Sequence, residues 1–241
     1  MTDATGAPGA TGAPDVLAVD VWSDVACPWC YLGTRRFAEG VRRFAGARAA
    51  EGRAVPEVRL THHSFELSPD TPVDFDGTAA DFLARHKGVP MAQAVQMQAQ
   101  VAELAADAGL TMDFARVRHT KTLTAHELIH LAHAHGRQAE MVERLFRAYF
   151  TEGRHVGRTE DLADLAADVG LDRDEVVAAL EAGTYADAVA ADVAQARVYG
   201  ITGVPFFVLD GRYGVSGAQD PAVFAAGLEQ AASDSTSGAD D

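Results

Sequence analysis

The only two cysteines of the chain lie in one short motif, Cys27-Pro28-Trp29-Cys30. An apolar run typical of a strand precedes the motif, and apolar residues recur at helical spacing after it. A Cys-x-x-Cys sequence at a strand-to-helix junction is a redox arrangement, because the free N–H groups at a helix N-terminus stabilise a thiolate. We therefore expect Cys27 to be the nucleophile and Cys30, one turn later, to resolve a mixed disulfide. Pro28 suits the first helical turn, and Trp29 is expected to offer substrates an apolar surface.

The cysteine pair is also compatible with two roles that involve no redox chemistry. Free cysteines are often inert core residues. A cysteine pair can also form half of a zinc site, which needs two further ligands. His126, His130 and His133 recur at a spacing that would place two metal ligands on one helical face. Because this stripe lies opposite the apolar face of the same helix, we interpret it as solvent-exposed and predict no metal site.

The composition of the 241-residue chain is that of a globular protein, with 48% hydrophobic and 23% charged residues. Its formal net charge of −15 argues against partners such as nucleic acid or an anionic membrane. The N-terminus has neither the basic region nor the apolar core of a signal peptide, so a cytosolic protein is expected. In that compartment a cysteine pair is more often catalytic or metal-binding than structural.

The order of elements predicts an α/β fold whose sheet comes from both ends of the chain. A strand over 16–23, the motif helix over 28–45 and a strand over 58–63 form a parallel β-α-β unit. Helical patterns fill the middle, two strands joined by an Asp-Gly turn follow at 206–216, and a final helix begins at Pro221. The predicted divisions are a flexible tail (1–14), the first half of the sheet domain (15–65), a helical insertion (66–183), the second half of the sheet domain (184–231) and a disordered tail (232–241).

Gly203-Val204-Pro205 directly precedes the third predicted strand. Proline is tolerated at the first residue of a strand but fits poorly inside it. Together with the cysteine motif, this placement predicts a cis peptide bond between Val204 and Pro205 beside the cysteines. The N–H and C=O of Val204 would then be free to pair with an extended peptide that carries a thiol or disulfide.

Three segments carry a resemblance to a known family: Ser23–Gly33, Gly200–Val208 and Val215–Gln219. Two weaker blocks, Thr124–Leu128 and Arg147–Phe150, carry it as well. They resemble the DsbA family of the thioredoxin superfamily, and most of all its cytosolic FrnE-type branch. The likeness extends from about Val16 to Gly227. It implies a thioredoxin fold with a large all-helical insertion, a thiol–disulfide oxidoreductase activity at Cys27 and Cys30, and Pro205 as the cis residue. Some members have a further cysteine pair; this sequence does not, so a two-disulfide mechanism is excluded.

The resemblance also implies what the protein acts on. The expected partners are thiol- or disulfide-bearing proteins or small molecules, with no cofactor other than the active-site disulfide and a low-molecular-weight thiol as a candidate reductant. His126 would lie in a helical cap over the disulfide, and with Pro28, Trp29 and Val204 it is assigned to substrate binding. Related kappa-class transferases and 2-hydroxychromene-2-carboxylate isomerases use a bound cofactor thiol instead of a cysteine pair, so the retained pair favours the oxidoreductase. The oligomeric state is left open.

Two carboxylates are candidates for accepting the proton of Cys30. Asp20 lies in the first strand, where burial would raise its pKa and suit it to proton transfer. Asp24 lies in the following loop, where it would alternatively accept local backbone N–H groups. The sequence does not choose between the two. The adjacent His62 and His63 are expected to point to opposite faces of the second strand, and neither is assigned a catalytic role.

Overall fold

Four strands form one mixed sheet in the computed structural model, which describes residues 16–237. β1 and β2 pair in parallel, whereas β3 runs antiparallel to both β1 and β4, which gives the sheet order β2-β1-β3-β4. The strands are β1 (Val16–Ser23), β2 (Glu57–Ser64), β3 (Phe206–Leu209) and β4 (Tyr213–Ser216). The predicted α/β thioredoxin fold, with its β-α-β unit and its terminal hairpin, is confirmed.

Helices cover the sheet and fill the region between its two halves. Along the described chain they are α1 (Pro28–Ala50), α2 (Ala79–Lys87), α3 (Met91–Asp107), α4 (Leu123–Ala134), α5 (Gln138–Arg147), α6 (Thr159–Ala167), α7 (Arg173–Glu181), α8 (Ala186–Val198) and α9 (Pro221–Ser237). A π-helical turn, Ala148–Glu152, continues α5.

The register of the sheet brings three chain segments to one edge. Ser23 and Ser64 pair at the ends of the parallel strands β1 and β2, so the loops that follow both strands begin side by side. Because β3 is antiparallel to β1, Phe206 at its start pairs with Trp22 near the end of β1. Three segments are therefore neighbours, although they are far apart in sequence. They are the Cys27 loop (residues 24–27), the segment after β2, and the Pro205 loop (residues 199–205).

The buried apolar residues form three clusters, of which the two largest lie in the sheet domain and in the helical region. Alternate residues of β1, including Val19 and Val21, pack with Phe37 of α1 and Phe224 of α9. The helices of the middle region share a second core, and Cys27 and Cys30 belong to it. The cysteines therefore lie where the helical region meets the sheet domain.

Two boundary predictions were wrong. α1 was expected to end at 45, but it continues to Ala50 because alanine and arginine favour helix after Gly46. Arg48 of this extension is buried, and its guanidinium lies 3.0 Å from Glu229 of α9. α9 likewise continues to Ser237, so residues 232–237 are helical where a disordered tail was expected. Residues 238–241 and the predicted tail over 1–14 lie outside the described residues.

Among the described residues, every helix is too short or too polar to cross a lipid bilayer.

Candidate active site

Cys27 lies at the N-cap of α1, at the predicted strand-to-helix junction. Its φ and ψ of −92° and 111° are extended, and Pro28 begins the helix. The Cys27 N–H donates to the Asp24 carbonyl at 3.0 Å, and the Cys30 N–H donates to the Cys27 carbonyl at 3.0 Å. Both cysteines are free thiols and nearly fully buried, with exposed fractions of 4% and 2%. The two sulfurs therefore share a sheltered position at the helix N-terminus.

The Pro205 loop closes one side of the thiols. The Val204–Pro205 peptide bond is cis, as predicted, and the Cys27 Sγ lies 3.7 Å from the Val204 carbonyl oxygen. Gly33 of α1 allows this approach, because a Cβ at that position would lie 2.8 Å from the Pro205 Cγ. A side chain at Gly33 would therefore push the loop away from the helix.

The environment of Cys30 disfavours its thiolate. Burial raises the pKa of the Cys30 thiol well above its ordinary value of 9.0, and the adjacent Cys27 sulfur adds to this increase. The charge of Asp24 acts in the same direction, whereas a hydrogen bond to the Asp24 backbone opposes it. Cys30 is therefore the thiol that keeps its proton when both cysteines are reduced.

Asp24 is a buried carboxylate at the base of the Cys27 loop, with an exposed side-chain fraction of 2%. One of its oxygens accepts the Leu67 N–H at 2.8 Å, and the other accepts the Ala26 N–H at 3.1 Å. Burial alone would raise the pKa of Asp24, but the imidazole of His126 and these two N–H groups hold it below 3.8. Asp24 therefore accepts one local N–H, that of Ala26, as the sequence-based alternative expected, and one distant N–H, that of Leu67.

His126 faces Asp24 from α4. Its Nε2 lies 3.6 Å from Asp24 Oδ1, and its side chain is 2% exposed. The predicted solvent-exposed stripe is therefore wrong for His126, and also for the half-buried His130, whereas His133 is exposed. The helical wheel failed because α4 is covered on more than one side, by α5, α7 and α8. We define the Asp24 cluster as Asp24, His126 and Glu66, a half-buried glutamate that follows β2.

Asp20 belongs to a different group of polar side chains. It lies on the face of β1 opposite Val19 and Val21, so it points away from α1. Its side chain is 36% exposed, and its Oδ1 lies 2.8 Å from His63 Nε2. The expectation that Asp20 is buried behind the disulfide is therefore wrong.

The group around Asp20 connects the sheet to α4 and α8. His63 Nδ1 lies 2.8 Å from Asp192 Oδ1, and His130 Nε2 lies 3.0 Å from Asp192 Oδ2. The Ser64 N–H donates to Asp192 Oδ2 at 2.8 Å. Although burial opposes it, hydrogen bonds to the two carboxylates raise the pKa of His63 to about 9. We define Asp20, His63, Ser64, His130 and Asp192 as the Asp192 cluster.

The remaining residues assigned to substrate binding lie at the surface of the site. Trp29 is 40% exposed, as expected for a residue that offers an apolar surface. Pro28 is half-buried, and so is Val204, whose carbonyl oxygen lies 3.7 Å from the Cys27 Sγ. All three residues therefore lie next to Cys27, with Pro28 and Trp29 adjacent along the chain and Val204 adjacent in space.

Sequence reasoning missed the segment after β2. Glu66 is half-buried near Asp24, with an Oε1 that has no hydrogen-bond partner among the described residues. Burial raises the pKa of Glu66; the charges of His126 and Lys121 oppose this increase, and the charge of Asp24 adds to it. The parallel pairing of β1 and β2 was predicted, and it places the residues after both strands at one edge. That predicted pairing could have indicated that Glu66 and Leu67 lie close to the Asp24 loop.

Within residues 16–237, no group of three or more histidine, cysteine, aspartate or glutamate side chains is arranged to hold a metal ion.

Comparison with known proteins agrees with this geometry. The DSBA-like thioredoxin domain family matches residues 18–229. The structure of a probable DsbA oxidoreductase from Streptomyces coelicolor is 38% identical in sequence, covers 89% of both chains and has a TM-score of 0.80. The uncharacterized protein YwbO from Bacillus subtilis is 29% identical over 193 residues, which is 79% of this chain and 86% of that protein. These matches support an enzyme of the oxidoreductase or isomerase kind.

A more distant structure has the same fold. The cytosolic disulfide reductase DsbM from Pseudomonas aeruginosa is 22% identical, with a TM-score of 0.54 over 89% of this chain and 98% of that one. DsbM has also been solved with glutathione.

Proposed function

Because this chain belongs to the DSBA-like thioredoxin domain family, we propose that it is a thiol–disulfide oxidoreductase in which Cys27 attacks and Cys30 resolves. The observation that carries the proposal is the contrast between the two thiols. Cys27 lies at the N-terminus of α1 with its sulfur against the Val204 carbonyl, whereas burial raises the pKa of Cys30. Because its environment disfavours ionisation, Cys30 is assigned to the resolving step, and Cys27, at the helix N-terminus, is assigned to the attack.

The exchange would proceed in two balanced steps. The Cys27 thiolate attacks one sulfur of a substrate disulfide; the substrate S–S bond breaks, and one substrate thiolate leaves. Cys30 then passes its proton to the first departing substrate thiolate and attacks Cys27 Sγ; the Cys27–substrate S–S bond breaks, and the second substrate thiolate leaves and takes a proton from water. The substrate gains two electrons and two protons, and the protein retains a Cys27–Cys30 disulfide.

The order of the steps follows from the charges at the site. The Cys27 sulfur contributes to the raised pKa of Cys30. Once Cys27 is bonded to the substrate it carries no charge, so this contribution disappears and Cys30 becomes easier to deprotonate. The Cys30 thiol therefore stays protonated until a mixed disulfide has formed at Cys27. Asp24 participates through its charge, because its lowered pKa makes it a poor proton acceptor.

The finer assignments stay proposals. We propose that Trp29, Pro28 and Val204 contact the substrate, that Pro205 shapes their loop, and that no cofactor is needed beyond a low-molecular-weight thiol as reductant. Glutathione is a reasonable first reductant to test, since DsbM was crystallised with it. A cytosolic location and the FrnE-type branch likewise remain predictions; the structural neighbour DsbM is described as cytosolic.

A redox titration tests the proposal. The purified full chain is equilibrated in thiol/disulfide buffers, alkylated and weighed as an intact protein. We expect one two-electron transition between the dithiol and a Cys27–Cys30 disulfide, and its midpoint would define the direction of transfer. Independent alkylation of the two thiols, with no internal disulfide in any buffer, would overturn the assignment.

Single serine variants separate the two roles. Cys27→Ser should lose all exchange with a disulfide substrate, whereas Cys30→Ser should accumulate a mixed disulfide at Cys27. If Cys30→Ser instead retained full multiple turnover with glutathione, a glutathione-dependent isomerase or transferase would be the better assignment.

A further inference from the structure

We infer that His126 is a positioning residue of the active site, which fixes the charge and orientation of the Asp24 carboxylate behind the two cysteines. The chemical meaning of this inference rests on the proposed function. The contact itself is a feature of the fold: α4 presents the imidazole to the loop between β1 and α1, and the Nε2 of His126 lies 3.6 Å from Asp24 Oδ1.

A buried carboxylate such as Asp24 needs compensation for the water it has lost. Two backbone N–H groups, those of Leu67 and Ala26, supply part of it. Neither carries a formal charge. His126 is the titratable base that faces Asp24 at close range, so its imidazolium form can supply the opposite charge.

The other titratable groups around Asp24 are unsuited to this role. Cys30, Glu66 and Tyr149 are neutral or negative, so they add no positive charge. His119 is held neutral, because burial lowers its pKa to about 4, and its Nδ1 lies 3.0 Å from the Tyr149 hydroxyl. Lys121 is directed elsewhere, since its Nζ donates to the Pro69 carbonyl at 2.9 Å.

The geometry of His126 also differs from that of a histidine satisfied within a core. Its Nε2 is buried and has no hydrogen-bond partner among the described residues. A separation of 3.6 Å is longer than a hydrogen bond, yet short enough for a strong charge interaction. The Nε2 of His126 is therefore directed at the carboxylate and is bonded to no other group of the described residues.

The consequence for the cysteines passes through Asp24. Because the Asp24 charge helps to raise the pKa of Cys30, a group that keeps Asp24 ionised also keeps Cys30 protonated. Without the imidazole, Asp24 would be buried with only its two N–H partners, and it would bind a proton more readily. Cys30 would then lose its negative neighbour.

Titration of the Asp24 carboxyl tests this inference directly. The oxidised full chain is labelled, and the side-chain carboxyl resonances are followed by carbon-detected NMR between about pH 5 and pH 8, around the ordinary pKa of histidine. The Asp24 resonance is assigned with Asp24→Asn. In the unaltered chain we expect Asp24 to remain ionised throughout. In His126→Leu we expect it to titrate within this range.

Two further variants keep the test decisive. His126→Gln retains an N–H donor near the Nε2 position without the charge, and we expect it to restore part of the ionisation of Asp24. His133→Leu changes an exposed histidine of the same helix and should leave the titration as it is. Far-ultraviolet circular dichroism establishes that each variant is folded.

Several outcomes would overturn the inference. One is an unchanged Asp24 titration in folded His126→Leu. If His126→Leu does not fold, two other results would overturn the inference. One is an Asp24 carboxyl that titrates near neutral pH in the unaltered chain, and the other is an Asp24 titration that His126→Gln leaves unchanged. Since this readout requires no catalysis, a chain without exchange activity but with the expected titration would refute the proposed function alone.

Discussion

The protein contains two histidine–carboxylate clusters that are similar in composition and different in construction. In the Asp192 cluster, both oxygens of Asp192 are bonded, and His63 contacts a carboxylate through each ring nitrogen. In the Asp24 cluster, the Nε2 of His126 and the Oε1 of Glu66 have no hydrogen-bond partner among the described residues. The polar atoms of the Asp192 cluster are bonded to one another, whereas the Asp24 cluster has two buried polar atoms without a hydrogen-bond partner among the described residues.

The two clusters have different effects on the protein. The Asp192 cluster joins β1, β2, α4 and α8, so its hydrogen bonds connect the sheet to the helices. The Asp24 cluster contributes to the raised pKa of Cys30. We therefore expect changes in the first to alter stability and changes in the second to alter the chemistry of the thiols.

The largest expected effect is on stability, from Asp192→Ala. This change leaves His63, His130 and the Ser64 N–H without their shared acceptor, and we expect the free energy of unfolding to fall by about 3 kcal/mol. Denaturant unfolding measures this loss. Asp187→Ala, an exposed position on the same helix, should cost less than about 1 kcal/mol. Equal losses in the two variants would contradict a structural role for the cluster.

The Asp24 cluster should respond in the opposite manner to Asp24→Asn. We expect stability to fall by only about 1–2 kcal/mol, because one backbone N–H loses its acceptor. The main effect should be a lower pKa of the Cys30 thiol, since the negative charge that helps to raise it is removed. Thiolate ultraviolet absorbance against pH, measured in the reduced Cys27→Ser background, reports this change. Asp20→Asn is the matched control, and a lower Cys30 pKa in both variants would refute the distinction between the clusters.

The dependence of stability on pH should reflect the titration of His63 in the Asp192 cluster. The folded-state pKa of His63 is about 9, above its ordinary 6.5, so its contribution is complete below pH 6.5 and is lost as pH rises through about 9. Because His63 is partly exposed, we expect a loss of about 1–2 kcal/mol rather than the full linkage value. Burial lowers the pKa of His62 and His119 to about 4, so both are neutral throughout this range.

Unfolding of the oxidised protein, in which Cys30 does not titrate, measures this dependence. The decline should be smaller in Asp192→Ala and unchanged in Asp187→Ala, the exposed control on the same helix. A decline of the same size in Asp192→Ala would mean that His63 does not owe its raised pKa to the cluster.

The smallest effect is expected outside both clusters, at Trp29. Because the indole is 40% exposed, Trp29→Ala should leave stability within about 1 kcal/mol. If substrates contact it, KM for a protein disulfide should rise about threefold to tenfold, with kcat little changed. Val198→Ala, at another exposed apolar residue, should change neither value. Equal KM values for Trp29→Ala and the unaltered chain would remove Trp29 from the substrate surface.

Local sequence patterns determined much of the frame. The apolar run over 16–23, the Cys-Pro pair and the Asp-Gly turn each specify backbone geometry within a few residues, and the structure agrees at all three places. Cys27 and Cys30 followed from the same local reasoning, because helix position and cysteine spacing define the redox arrangement without reference to the rest of the fold.

Tertiary structure decided which charged side chains join the cysteines. Asp20 and Asp24 are indistinguishable as sequence candidates, but β1 turns Asp20 away from α1 while the loop turns Asp24 beneath Cys27. His126 lies on a helix whose covered faces depend on packing by distant segments, so the helical wheel assigned it to solvent. Burial, and with it the pKa of each group, depends on what the whole chain places nearby, which a local pattern does not contain.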